Sequence, residues 1–149
     1  MFGNARKAFL KGLDVAAIEA AIKEAERATT GEIRVAVLPP FRDTIEEMTE
    51  RTVHRLGMTR TSDRNGVLIL VDPARRMFRV WGDRSIHEKL GDGFWKSIAA
   101  AVEERFRAGE FTAGLVGGVT AAGRALAEHY PCGDRGHRDQ LPDSVDLTG

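Results

Sequence analysis

The sequence contains a single cysteine, Cys132, among its 149 residues. One cysteine excludes an intramolecular disulfide, and the composition suits a reducing compartment. No stretch approaches the roughly 20 consecutive apolar residues that a membrane-spanning helix needs. The N-terminus has basic residues but lacks the apolar run of a signal peptide. We therefore expect a soluble, cytoplasmic protein without a membrane span.

An excess of charge of one sign is also missing, since 22 basic residues balance 22 acidic ones. Without a net positive charge or a basic stripe, binding to nucleic acid is not expected. A charged ligand would need a local site. No internal repeat is present, and the length favours one domain that can bury a core without disulfides.

Apolar periodicity and turn residues predict the element order α-β-α-β-β-α-α. The β-α-β part predicts a right-handed parallel crossover, and the last two strands predict an antiparallel hairpin. The fold class is therefore α/β, a three-layer α/β/α sandwich with a small mixed sheet. We divide the chain into an N-terminal extension, a domain and a flexible C-terminal tail, at residues 1–12, 13–130 and 131–149.

Four motifs spread over the predicted domain resemble the TPM domain family, also described as TPM phosphatase-like. They are 30–35 (TGEIRV), 64–69 (RNGVLI), 81–83 (WGD) and 106–115 (FRAGEFTAGL). Known members include a thylakoid lumen protein and photosystem II repair proteins. The resemblance implies an α/β/α sandwich with a mixed sheet. It also implies binding of calcium or magnesium, and acid phosphatase activity ascribed to plant members.

The predicted topology brings several oxygen ligands to one edge of the sheet. The first two strands begin at this edge and the third strand ends there, so residues next to these three points should be neighbours. Carboxylate and amide oxygens suit hard cations, calcium first and magnesium next. The predicted metal ligands are Glu32, Asp63, Asn65, Asp83 and Asp92.

The same acidic side chains also have purely structural interpretations. Asp92 would cap a helix, Asp83 would pair with Arg84, and Glu32 would pair with Arg34. If phosphate binds at this edge, Arg64 or Arg84 would hold its charge. No catalytic residue is assigned.

The residues after 130 contain two further patterns that we interpret as chance. Cys132 and Arg138 have the C-x5-R spacing of thiolate phosphatases, but no strand and helix are predicted around them. His129, Cys132 and His137 could form a transition-metal set, but they lie in a polar segment with irregular spacing.

Three functions remain open at this point. The first is a stand-alone TPM domain that binds a divalent cation and supports assembly or maintenance of a complex with an unknown protein partner. The second is a weak metal-dependent acid phosphatase, which only the resemblance suggests. The third is a purely structural interaction domain.

Overall fold

The computed structural model describes residues 2–147, with side chains from Asn4 onward. The helices and strands follow the predicted order with two additional helices, one in the segment expected to be an extension and a short one directly after the third strand. In chain order they are α1 (Phe2–Lys11), α2 (Val15–Glu26), β1 (Glu32–Val37), α3 (Ile45–Leu56), β2 (Gly66–Asp72), β3 (Met77–Gly82), α4 (Arg84–Leu90), α5 (Asp92–Arg107) and α6 (Phe111–His129).

The three strands form one mixed sheet in the order β1-β2-β3. β1 and β2 are parallel, with Glu32 opposite Gly66. β2 and β3 form the antiparallel hairpin, with Val67 opposite Gly82. The parallel direction of the first two strands and the antiparallel hairpin are thus confirmed, and with them the predicted fold class.

Alternation along the strands divides the core into two parts. On one face, Ile33 and Ile69 belong to a buried cluster with residues of α1, α2, α5 and α6. On the other face, Leu68 and Leu70 pack with Val53 of α3. Helices therefore cover both faces of the sheet, which is why β2 is a continuous apolar run that is buried along its whole length.

Two glycines of α6 explain how this helix packs closely against its neighbours. A Cβ at Gly118 would lie 2.6 Å from the Cγ2 of Val102 on α5. A Cβ at Gly123 would lie 2.6 Å from the Cβ of Ala25 on α2. The glycines lower the helix propensity of α6, but they let α6 approach α2 and α5 closely.

Both ends of the described chain contact the domain. Phe9 of α1 is buried, and its ring centroid lies 5.0 Å from that of Phe111. Residues 131–147, expected to be part of a mobile tail, instead lie against β1. The amide of Val37 donates to the carbonyl of Asp146 at 2.9 Å, and the amide of Asp146 donates to the carbonyl of Val35 at 2.8 Å. Residues 148 and 149 of that expected tail lie outside the described residues.

The physical reason for this contact is a pair of apolar side chains in an otherwise polar segment. Leu141 and Val145 are both buried, so the segment contributes to the core on both sides of β1. Burial of each such side chain is worth about 1.5–3 kcal/mol.

Between residues 2 and 147, no helix combines the length and apolar character required to cross a membrane.

Candidate metal site

The predicted edge of the sheet is present in the structure. Glu32 is the first residue of β1 and pairs with Gly66, the first residue of β2. The amide of Asp83, directly after β3, donates to the carbonyl of Gly66 at 3.0 Å. The strand directions therefore place Glu32 and Asp83 at the same edge, as expected.

Asp83 uses both of its carboxylate oxygens in contacts within the protein. The Nε and Nη2 atoms of Arg64 donate to them at 2.6 and 2.8 Å. One of the two oxygens also accepts a bond from the amide of Arg84 at 2.7 Å and so caps α4. Asp83 is buried, and the bidentate contact with Arg64 together with the helix cap compensates its negative charge. The side chain of Arg84 is exposed.

The other predicted ligands do not converge on one point. The Asp63 carboxylate accepts a hydrogen bond from the hydroxyl of Thr30 at 2.9 Å, and the Asn65 amide donates to the same hydroxyl oxygen at 3.1 Å. Asp92 is exposed at the first residue of α5. Metal ligation by Asp63, Asn65, Asp83 and Asp92 stays a prediction.

Glu32 belongs instead to a group of four side chains around the connection between α2 and β1. Its other members are Glu26, the last residue of α2, and His137 and Asp139 from the segment that follows α6. Each residue offers one ligand atom, and these atoms all lie within 4.8 Å of one another. We call Glu26, Glu32, His137 and Asp139 the four-residue cluster.

The backbone fixes the orientation of every buried member of the four-residue cluster. One oxygen of Glu26 accepts from the amide of Ile33 at 2.8 Å. One oxygen of Glu32 accepts from the amide of Gln140. The Nδ1 of His137 lies 2.7 Å from the carbonyl oxygen of Thr29. Because a carbonyl oxygen only accepts, Nδ1 donates to it. Nε2 makes a second hydrogen bond, with Oδ1 of Asp139 at 2.9 Å, and carries a lone pair only when the ring is neutral.

This Nε2 atom faces three carboxyl oxygens. It lies 3.4 Å from Oε1 of Glu26, 3.6 Å from Oε2 of Glu32 and 2.9 Å from Oδ1 of Asp139. The same Glu26 and Glu32 oxygens are buried and make no hydrogen bond with another described residue. The Glu26 and Glu32 side chains are each only 1% exposed, whereas the Asp139 side chain is 58% exposed. The cluster is thus a buried acidic site with one side open to solvent.

Burial also determines the charge of the two glutamates. It raises the pKa of the Glu26 carboxyl to about 11, and the nearby acids Asp143 and Glu32 act in the same direction. Burial likewise raises the pKa of Glu32, while the hydrogen bond from the amide of Gln140 lowers it. Two buried carboxyl groups so close together require a proton or a cation between them.

Two members of the cluster, Glu26 and Asp139, belong to no motif that the sequence shows, because each is a single acidic residue without a recognisable pattern around it. His137 did carry a signal, but we interpreted it, with His129 and Cys132, as chance. The structure separates these three residues. His129 ends α6, and the thiol of Cys132 donates to the carbonyl of Arg27 at 3.3 Å. His137 alone among them joins the cluster.

The comparison with protein families identifies the domain. The family model described as TPM domain matches residues 4–125. The chain belongs to the TPM domain family. Glu26 and Glu32 lie within the matched residues, whereas His137 and Asp139 lie after them. The four-residue cluster is therefore built half from the family's domain and half from the segment that packs on it.

Solved structures of other proteins share this TPM fold. The BA42 protein of the psychrophilic bacterium Bizionia argentinensis is 34% identical, with a TM-score of 0.86 over 91% of this chain and 95% of BA42. An N-terminal domain from P. gingivalis is 23% identical, with a TM-score of 0.65 over 87% of this chain and 83% of that one. The N-terminal domain of cg2496 from Corynebacterium glutamicum is 14% identical, with a TM-score of 0.60 over 84% and 77% of the two chains. The last two show the fold alone. Among curated proteins, none gives a significant match.

Proposed function

We propose that this TPM domain binds a divalent cation through Glu26, Glu32, His137 and Asp139. The observation that carries the proposal is the pair of buried glutamate oxygens without a hydrogen-bond partner, both facing Nε2 of His137. A cation would satisfy these oxygens and compensate for their charge, whereas an empty cluster requires protons. The open side at Asp139 gives an ion access from solvent.

Because three of the four ligands are carboxylates, calcium and magnesium, which the sequence predicts, are among the ions to test. A bound ion would connect the α2–β1 corner to the segment that packs on β1, because each part supplies two of the four ligands. It would thereby stabilise one defined surface at this edge. Such a surface suits a binding module that supports assembly or maintenance of a partner complex. The expectations of a protein partner and of a cytoplasmic location rest on the sequence alone.

The first test is thermal unfolding of the chelator-treated protein with and without divalent cations. An ion at about a hundredfold excess over its Kd stabilises the native state by about 2.7 kcal/mol. For a domain of this size, we expect the melting temperature to rise by roughly 5–10 °C. Glu32→Gln should abolish the rise, since the amide still accepts the bond from Gln140 but offers a poor ligand.

Asp83→Asn is the matched control for this test. It removes the ionic contact with Arg64 and should lower the melting temperature with or without ions. It should leave the cation-dependent rise intact, because Asp83 is outside the four-residue cluster. A wild-type melting temperature that does not change with any divalent cation would contradict the proposal. So would a rise that survives Glu32→Gln and disappears in Asp83→Asn.

A further inference from the structure

We infer that the four-residue cluster selects a transition-metal ion of the zinc class over calcium and magnesium. The inference rests on the proposed function and goes beyond it by naming the ion. It follows from three properties of the cluster, namely the orientation of the His137 ring, the separation of the ligand atoms and the number of oxygen ligands.

The first property is the arrangement of His137. Metal-binding histidines usually donate their second ring N–H to a carboxylate or a backbone carbonyl, which fixes the tautomer and orients the other nitrogen. His137 has this arrangement, because Nδ1 contacts the carbonyl of Thr29 and Nε2 faces the carboxyl oxygens. The His137 side chain is only 10% exposed, so the ring has little freedom to turn away. Imidazole nitrogen suits zinc and other transition ions, whereas calcium and magnesium prefer oxygen.

The second property is the distance between ligand atoms. A tetrahedral zinc ion with bonds of about 2.0–2.1 Å separates its ligand atoms by roughly 3.3 Å. The three distances from Nε2 of His137 to the carboxyl oxygens are 3.4, 3.6 and 2.9 Å. Nε2 therefore lies close to the spacing of a small, four-coordinate ion from each of the three carboxyl oxygens, and all four ligand atoms lie within 4.8 Å of one another.

The third property is the small number of oxygen ligands. Calcium takes about six to eight oxygens at roughly 2.3–2.6 Å. The cluster offers three carboxyl groups, and two of these already use one oxygen to accept a backbone amide. Among residues 2–147, no other acidic, histidine or cysteine side chain joins this group. Three carboxyl groups and one imidazole satisfy zinc better than they satisfy calcium.

The test is a set of calorimetric titrations of the full chain, freed of metal by chelation, with zinc, manganese, magnesium and calcium salts. We expect zinc to bind most tightly and manganese next, following the general order for divalent metals. Magnesium and calcium should bind at least about a hundredfold more weakly than zinc. His137→Asn should reduce zinc affinity by roughly tenfold or more and calcium affinity by much less, because it removes the nitrogen ligand.

Two controls test whether zinc binds instead at the histidine and the cysteine near the end of α6. His129→Asn alters an exposed histidine at the end of α6, and Cys132→Ser removes the thiol. Neither should change the affinity for zinc by more than about twofold. The ¹⁵N resonance of Nε2 in wild-type His137 should also shift when zinc binds, a result that does not depend on any variant folding.

The outcomes separate this inference from the proposed function. If calcium or magnesium binds as tightly as zinc, and Glu32→Gln abolishes that binding, the choice of ion is wrong. The proposed cation site would still be supported. Zinc affinity that is unchanged in His137→Asn, or lost in Cys132→Ser, would overturn the inference as well. Failure of all four ions to bind would overturn the proposed function and this inference together.

Discussion

Burial keeps Glu26 neutral when no cation is present. Burial raises the pKa of this carboxyl to about 11, and the neighbouring acids Asp143 and Glu32 act in the same direction. One of its oxygens nevertheless accepts the amide of Ile33, so the side chain is held in place. At neutral pH the metal-free protein therefore contains a carboxylic acid at this position, where a metal-bound protein would contain a carboxylate.

Glu26→Gln tests this description at the level of one residue. A neutral amide replaces a neutral acid of the same shape and can still accept the Ile33 amide. We expect the chelator-treated variant at pH 7 to unfold within about 1 kcal/mol of the wild type, while its cation-dependent stabilisation is lost. Chemical denaturation with and without the ion measures both quantities. A loss of several kcal/mol in chelator would show that Glu26 is charged in the metal-free fold.

The segment after α6 behaves in the structure as an additional edge element for β1. Its backbone exchanges two hydrogen bonds with Val35 and Val37. Its Asp146 carboxylate contacts Arg55 of α3 with bonds of 2.7 and 3.2 Å and is 7% exposed. Edge strands in sheets are commonly covered in this way, because their free N–H and C=O groups would otherwise pair with other chains.

Amide hydrogen exchange at Val37 tests whether this contact persists in solution. We expect the Val37 amide to be protected, and Asp146→Ala to increase its exchange at least about tenfold, which corresponds to about 1.4 kcal/mol. The control is Arg51→Ala, a change on the same helix as Arg55 that removes the ion pair with Asp43, which precedes the helix. This variant should leave Val37 unchanged. Rapid exchange at Val37 in the wild-type protein would mean that the segment is mobile, as its composition suggests.

At the scale of the whole molecule, local patterns were sufficient to predict the fold. The continuous apolar run of β2, the cap at Thr44 and the turn after Asp72 are each encoded within a few residues. The common edge of Glu32 and Asp83 followed from strand direction alone. These features depend on short-range chemistry and on the handedness of β-α-β connections, which are the same in many proteins.

The four-residue cluster was not predictable in the same way, because it depends on where residues 131–147 pack. Glu32 and His137 are separated by more than 100 positions, and the packing of the later segment on β1, with Leu141 and Val145 buried, brings them together. Two isolated apolar residues in a polar segment give no periodic signal. The ion pair between Arg64 and Asp83 was also not predicted, because Arg64 was expected to bind phosphate.

The most direct test of the account is a zinc titration followed by backbone amide NMR on the full chain. We expect the largest shifts at residues 26, 32–33 and 137–140, because the ligands and the amides bound to them lie there. Residues 63–66 and 83–84 should shift little. Large shifts at 63–66 and 83–84, with 137–140 unmoved, would contradict the account and place the ion at the edge that the sequence first suggested.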